Sequence, residues 1–378
     1  SLFDCLIKKL FNCTQLFRLD SPILLTNFLG MNPLNYLLLY FLFHTLIFGA
    51  PKSFPGTYTN SNDSKIPVDF KFQGEYRNKD YGAQVISLDQ GIFQGVLYAG
   101  GLPGQGWDGK SRSLLHGQLN NNSVVLKPAT GKRKYIAGPA DEFSATQKFP
   151  PVGHKPYSGS IAENVLTLKD KKGKSIVLQK VNRASPSLGK KPPSGSLVLF
   201  DGTNIKEWQG GRLDNKSKFL NTDGSDIRTK RMFDNYHLHL EFMLPFRPAA
   251  RGQGRGNSGL YQVDMYENQI LDSFGLEGKN NECGGIYSIK SSMVNACFPP
   301  LTWQTYDVEF TNAKSNNGKK TGNARITAKL NGILIHDNFE IPGKTGGARP
   351  DQEGTAGPIK LQGHGNPLQF KNIWIIQK

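Results

Sequence analysis

The sequence predicts an all-β protein: a smaller antiparallel β domain followed by a two-sheet sandwich or jelly roll. Three observations carry this. Short runs of alternating or continuous apolar residues recur along the chain, divided by Gly, Asn and Asp turns. Glycine and proline are abundant, 42 and 22 among 378 residues, and long helical heptads are missing. Asn331-Gly332 stands between two alternating runs, a strong hairpin signal.

Residues 1–50 read as leader. Met31 begins MNPLNYLLLYFLFHTLIFGA, and the apolar run from Leu37 to Phe48 ends at Gly49-Ala50, small residues suited to signal peptidase. That pattern is a secretory signal and is short for a membrane span. The expectation is a natural start at Met31 and a secreted or periplasmic product, with membrane contact through this segment if it stays uncleaved. Lys8, Lys9 and Arg18 lie upstream of that start.

Residues 51–185 read as the smaller β domain, of unknown role. Strands are expected in VDFKFQGEY, GAQVISL, GIFQGVLYAGGL, SVVLKPA, RKYIAG, NVLTLKD and SIVLQKV. Gly100 to Gly109, GGLPGQGWDG, reads as a surface loop with Trp107 packed or presented, because no helix follows to make it a phosphate cradle. A Pro/Ser/Lys-rich linker spans 186–195. The formal net charge is +16, with lysines clustered in KDKKGK and at Lys190-Lys191. Such clusters read first as solvated loops. No nucleic-acid motif accompanies them, so no nucleic-acid partner is expected.

Residues 196–378 form the larger unit. Strands are expected at Leu197–Phe200, Tyr236–Met243, Gly259–Val263, Tyr266–Leu271, Gly285–Ser288, Gln304–Thr311, Ala324–Leu330, Ile333–Asp337, Ile359–Gln362 and Phe370–Gln377. Trp208, after an Asp-Gly turn, is expected in the core. Cys283 and Cys297 fall in this exported unit and make a plausible disulfide.

Candidate chemistry centres on GNSGLYQVDMYENQILDS, from Gly256 to Ser273. Asn257-Ser258-Gly259 reads as a turn. Glu267 and Gln269 share one strand face, and a β-bulge after Gln269 would bring Asp272 to it. Two carboxylates and an amide in a row can do acid/base work or hold a sugar, or can be a solvated face. His237, His239 and Glu241 alternate with apolar residues. Their pattern fits zinc ligation or, more simply, a polar sheet face, so a metal stays undecided. His364 lies between two glycines at a rim and could carry a proton. Arg247, Arg251 and Arg255 lie in a Gly/Arg loop that could cover a ligand. Trp303 and Gln304 could form a sugar platform or cap the core.

Several segments then occur in one order: LFDGTNIKEWQG, HLHLEF, GNSGLY, YENQILDS, NECGGIYSIKSSMVNACFPPLTWQTYDVEF, LNGILIHD and LQGHGNPLQFKNIWI. Together they resemble the 3-keto-disaccharide hydrolase family, related to 3-keto-glucoside 1,2-lyases and 2-hydroxy-glucal hydratases, across residues 196–378. The resemblance implies a concanavalin A-like jelly roll of the laminarinase type, export, and elimination and hydration of 3-keto-glycosides. The family's G-[YF]-E-x-Q-I-x-[DN] pattern falls on Met265 to Asp272, with methionine for the usual glycine. Gln269 cannot ionise, so a paired-carboxylate glycosidase mechanism is disfavoured. The expected roles are Glu267 as base and His364 as second proton carrier. Arg255, Asn257, Tyr261, Gln269, Asp272, Trp303, Gln304, His239, Glu241 and Gln362 are expected to bind a glycoside or oligosaccharide, with no cofactor. The alternatives are a non-catalytic carbohydrate-binding module and an exported structural protein holding an anionic matrix.

Overall fold

A computed structural model of the chain describes residues 54–378. The expected leader, with Cys5 and Cys13, lies outside the described residues. The described chain is nearly all β, in a closed barrel followed by a two-sheet sandwich.

The barrel strands are β1 Gly74–Arg77, β2 Tyr81–Ser87, β3 Ile92–Ala99, β4 Arg112–Asn120, β5 Ser123–Pro128, β6 Ser158–Ala162, β7 Val165–Lys169 and β8 Ser175–Val181. Each pairs antiparallel with its sequence neighbour, and β1 closes on β8. Closure removes the free edges that a small sheet would expose. Eight strands leave an interior that side chains can fill. Tyr76, Val85, Phe93, Leu97, Leu126 and Leu178 fill it here. Sequence reading missed β4, which carries Arg112, His116 and Gln118, and β6, whose SGSIA has little apolar content. The expected strand RKYIAG shrinks to Lys134–Tyr135 within a long loop. Trp107 packs in its loop, with its Nε1–H donating to Ser111 O at 3.0 Å and Arg112 over its ring.

Alternation gives the barrel a second apolar face. Val85 points in, so Ile86 points out, and Ile86, Leu88, Val96 and Tyr98 cluster with Phe274 and Leu276 of the sandwich. Beside them Arg183 makes a bidentate bond to buried Glu75, at 2.6 and 2.5 Å, and lies over the Phe298 ring.

The sandwich strands are β9 Leu197–Phe200, β10 Tyr236–Met243, β11 Ser258–Gln262, β12 Tyr266–Ile270, β13 Trp303–Thr311, β14 Ala324–Leu330, β15 Ile333–Ile341, β16 Lys360–Leu361 and β17 Gln369–Gln377, with four shorter pieces between β9 and β10. The larger sheet runs β17-β10-β13-β14-β15, with β9 also on β17 and the pieces Arg212–Leu213 and Leu220–Asn221 at its edge. The smaller sheet ends β16-β11-β12. Leu240, Phe242, Tyr306 and Phe310 of the larger sheet meet Leu260, Tyr266 and Ile270 of the smaller in one core, and Trp208 joins them. His239 and Glu241 therefore point out of the larger sheet, and Glu267 and Gln269 out of the smaller.

Three local expectations need correction. Ser258 and Gly259 belong to strand β11 rather than to a turn. The turn between β11 and β12 is Val263-Asp264, with φ of 47 and 54°, closed by Met265 N donating to Gln262 O at 2.9 Å. A positive φ at β-branched valine is costly, and Arg349 holds it by donating to Val263 O from Nε and to Asp264 O from its backbone N–H. Second, the β11–β12 register runs unbroken from Ser258↔Ile270 to Gln262↔Tyr266, so no bulge follows Gln269 within it, and Asp272 lies past the strand end. Third, Gly285–Ser288 makes isolated bridges rather than a strand.

The expected disulfide is also corrected: Cys283 and Cys297 are free, buried thiols in the sandwich core. Burial, reinforced by the neighbouring Cys283 thiol, pushes the Cys297 pKa well up. The reactive thiolate is thereby suppressed, and the sulfurs are shielded from oxidants.

Candidate active site

On the outer face of the smaller sheet, β12 presents Glu267 opposite Tyr261 of β11. Glu267 Oε2 accepts the Tyr261 hydroxyl at 2.8 Å. Gly259 stands next along β11, and a Cβ there would lie 2.3 Å from Glu267 Oε1. Glycine is therefore required if the carboxylate is to keep this position. Burial raises the Glu267 pKa from 4.5 to about 7, against the opposing pull of Tyr261 and Lys360. The proton inventory is consistent with this. Tyr261 has one hydroxyl proton and two acceptors, Glu267 Oε2 and Gly346 O at 2.7 Å. A protonated Glu267 can donate to Tyr261 while Tyr261 donates to Gly346, so the pair accommodates a proton without losing a bond.

A glycine-rich loop, residues 343–349, covers the dyad. Thr345 Oγ1 accepts from Glu267 N at 3.0 Å. Gly347 adopts φ 74°, and a Cβ there would stand 2.8 Å from the Tyr261 hydroxyl. Lys360 Nζ donates to Gly347 O at 2.6 Å, pairs with Asp264 at 2.7 Å and sits 3.7 Å over the Tyr261 ring. Gln362 Nε2 donates to the Tyr261 oxygen at 3.3 Å.

Beside the dyad lies a cluster of amides. Gln269 Nε2 and Asn257 Nδ2 both donate to Gln253 Oε1, at 3.1 and 3.0 Å. Gln253 Nε2 donates to Asn281 O at 2.7 Å. The remaining acceptors, Gln269 Oε1 and Asn257 Oδ1, are buried and have no hydrogen-bond donor among the described residues. A buried acceptor without a donor is unfavourable, and a ligand hydroxyl would satisfy it.

The structure thus brings Asn257, Tyr261, Glu267, Gln269 and Gln362 together. Arg255 and Asp272 adjoin them as a buried ion pair with Nε to Oδ2 at 2.6 Å. Arg255 Nη1 is taken up by the carbonyls of Ser87 and Pro248, and Nη2 has no partner among the described residues. Arg255 is thus first a structural clamp. His364 is exposed, at φ 40°, on the turn after β16. The pairing of Leu361 with Leu260, and of Gln362 N with Gly259 O, carries that turn toward the Asn257 end of β11.

Four expected residues lie elsewhere. Gln304 is core, with Oε1 accepting from Phe298 N and Asn331 Nδ2 at 2.9 Å each. Trp303 lies on the larger sheet, edge-on to Phe219. His239 and Glu241 lie on that sheet's outer face, sealed by the linker. Gly189 N donates to Glu241 at 2.6 Å, and Ser187 Oγ to Asp307 at 2.6 Å. Burial opposes the imidazolium of His239, but its bonds to Asp307 and Glu241 prevail and raise its pKa. No set of three His, Cys, Asp or Glu side chains among the described residues is arranged to hold a metal. Lys360, Thr345 and Gln253 were missed, although Lys360 lies two residues before Gln362, a same-side spacing in an extended chain.

The chain matches the family of 3-keto-alpha-glucoside-1,2-lyase-like domains over residues 195–376. A solved Parabacteroides distasonis protein whose assignment as a glycosyl hydrolase is provisional shares 30% identity, at a TM-score of 0.46 over 49% of this chain and 85% of that one. A second such protein from the same organism shares 20% identity, at a TM-score of 0.36 over 49% and 94%. No curated protein matches the chain.

Proposed function

Because residues 195–376 belong to the 3-keto-alpha-glucoside-1,2-lyase-like family and mark the chain as carbohydrate-active, we propose that it cleaves 3-keto-glycosides, with Glu267 as the base. A ketone at C3 of a glucoside acidifies the C2 proton. Removing that proton and expelling the C1 substituent breaks the glycosidic bond by elimination, and adding water to the resulting glucal completes net hydrolysis. This chemistry needs one base, poised near working pH, rather than two carboxylates.

The observation that carries the proposal is the Glu267–Tyr261 dyad, a buried carboxylate raised to about 7 and bonded at 2.8 Å to a phenol that has a second acceptor. Ionised Glu267 takes the C2 proton, and Tyr261 shifts its own hydroxyl toward Gly346 as Glu267 becomes a donor. The donor-free acceptors of Asn257 and Gln269 suit sugar hydroxyls. We assign His364, at the rim, to protonating the leaving group. Export through the leader belongs to the same proposal.

The test is turnover of 3-keto-sucrose or 3-keto-trehalose by the mature chain and by Glu267→Gln. The expected outcome is product with the wild type and none with the variant. Near-normal turnover by a folded Glu267→Gln protein would remove the assignment. Sugar binding without turnover by the wild type would replace it with a carbohydrate-binding module.

A further inference from the structure

We propose that the barrel is part of the binding site: Tyr135 and Ile136 are positioning residues that set the Gln253–Asn257 loop against Gln269. This rests on the reading of Asn257 and Gln269 as sugar-binding groups. The loop that carries Gln253 and Asn257 has a single 3-10 turn, Gly252–Gly254, as its regular structure among the described residues. A loop of this kind is fixed by what it touches, and much of that is barrel. Arg251 Nη2 donates to Leu88 O at 2.8 Å, and Arg255 Nη1 to Ser87 O at 3.1 Å. The Arg251 guanidinium lies over the Phe143 ring at 5.7 Å. Ile136 Cδ1 stands 3.0 Å from where a Cβ on Gly252 would be.

The opposite wall is held from the same place. Gln253 reaches across to Asn281 O, and the neighbouring Glu282 accepts the Tyr135 hydroxyl. Glu282 also accepts from Gly278 N and Lys279 N, at 2.6 and 3.0 Å, and Lys279 Nζ sits 4.6 Å over the Tyr135 ring. Tyr135 and Ile136 are thus adjacent residues of one barrel loop, each touching a different wall of the amide cluster. Ile136 does so at φ 48°, a conformation a β-branched residue adopts only under constraint. None of these barrel residues lies in the family-matched segment 195–376. The barrel therefore adds something to the site that the matched segment does not itself encode. Its chemical consequence is to hold two buried acceptors, Asn257 Oδ1 and Gln269 Oε1, at a fixed separation for a ligand rich in hydroxyl donors.

The experiment uses the full chain with Ile136→Gly and Tyr135→Phe. Glycine tolerates the positive φ, so the first variant removes the wedge without backbone strain. Hydrogen exchange without substrate is expected to lose about tenfold protection or more at residues 250–257, while Glu267 to Ile270 stay protected. With a 3-keto-disaccharide, KM is expected to rise about tenfold, with kcat and its pH profile within about twofold of wild type. A purely structural role would change neither KM selectively nor exchange in that loop selectively. Unchanged protection of residues 250–257 in both variants would overturn the proposal, as would a fall in kcat at constant KM. If the wild type does not turn over 3-keto-disaccharides, the catalytic reading fails and the exchange result alone decides the positioning claim.

Discussion

Replacing Glu267 by glutamine should make the protein more stable while removing its proposed activity. Burial moves the Glu267 pKa from 4.5 to about 7. Holding that carboxylate ionised in the fold therefore costs roughly 3 kcal/mol. The sign follows from linkage. Between pH 4.5 and 7 the folded chain keeps a proton that the unfolded chain has released, so wild-type stability falls as pH rises through this window. Glutamine has no proton to lose and can still accept the Tyr261 hydroxyl. The variant and wild type should match near pH 4.5 and diverge to roughly 3 kcal/mol in favour of the variant at pH 8.5. Glu282, also raised to about 7 by burial, titrates in both proteins and cancels in the difference. Urea unfolding of both chains from pH 4.5 to 8.5 measures it. A difference that does not change with pH, or a variant that loses stability above pH 7, would refute the reasoning.

Gly259→Ala would place a methyl 2.3 Å from Glu267 Oε1 and 2.9 Å from the Tyr261 ring. It should cost about 1–3 kcal/mol and displace the base, which kcat and thermal unfolding together will show. Asp272→Asn strands the buried Arg255 charge. It should destabilise by about 3–5 kcal/mol in denaturant unfolding, and a loss under about 1 kcal/mol would show that the pair is not buried in solution. Alkylation of the unfolded chain without reductant should label Cys283 and Cys297 on separate peptides, whereas a linked peptide pair would show the disulfide the structure lacks.

Much of the sandwich was legible because each long strand carries its own alternation. His237 to Phe242 and Ala324 to Leu330 are examples, and Asn331-Gly332 marks the hairpin that joins Ala324–Leu330 to Ile333–Ile341. The barrel was half legible. Closure depends on β4 and β6, whose polar or small residues hide the period, and on pairing between β1 and β8 that no local pattern encodes. At the site, strand alternation placed Glu267 and Gln269 correctly on one face. It could not tell that His239 and Glu241 face outward from the other sheet, because both faces read as polar positions in an alternating strand. The Val263-Asp264 turn was illegible, because valine gives no signal for positive φ and tertiary contacts from Arg349 hold it there. Cys283 and Cys297 were misread because two cysteines separated by a short loop suggest a disulfide, while core burial keeps the thiols apart from oxidants.

The most direct measurement is deuterium incorporation at C2 when a 3-keto-glucoside is incubated with the protein in D2O. Proton abstraction by Glu267 should give C2-deuterated sugar with the wild type, at a rate that rises through pH about 7, the raised pKa of that carboxylate. The Glu267→Gln chain should give none. Cleavage by the wild type with C2 left fully protonated, or exchange at an undiminished rate in Glu267→Gln, would contradict a mechanism that begins at this carboxylate.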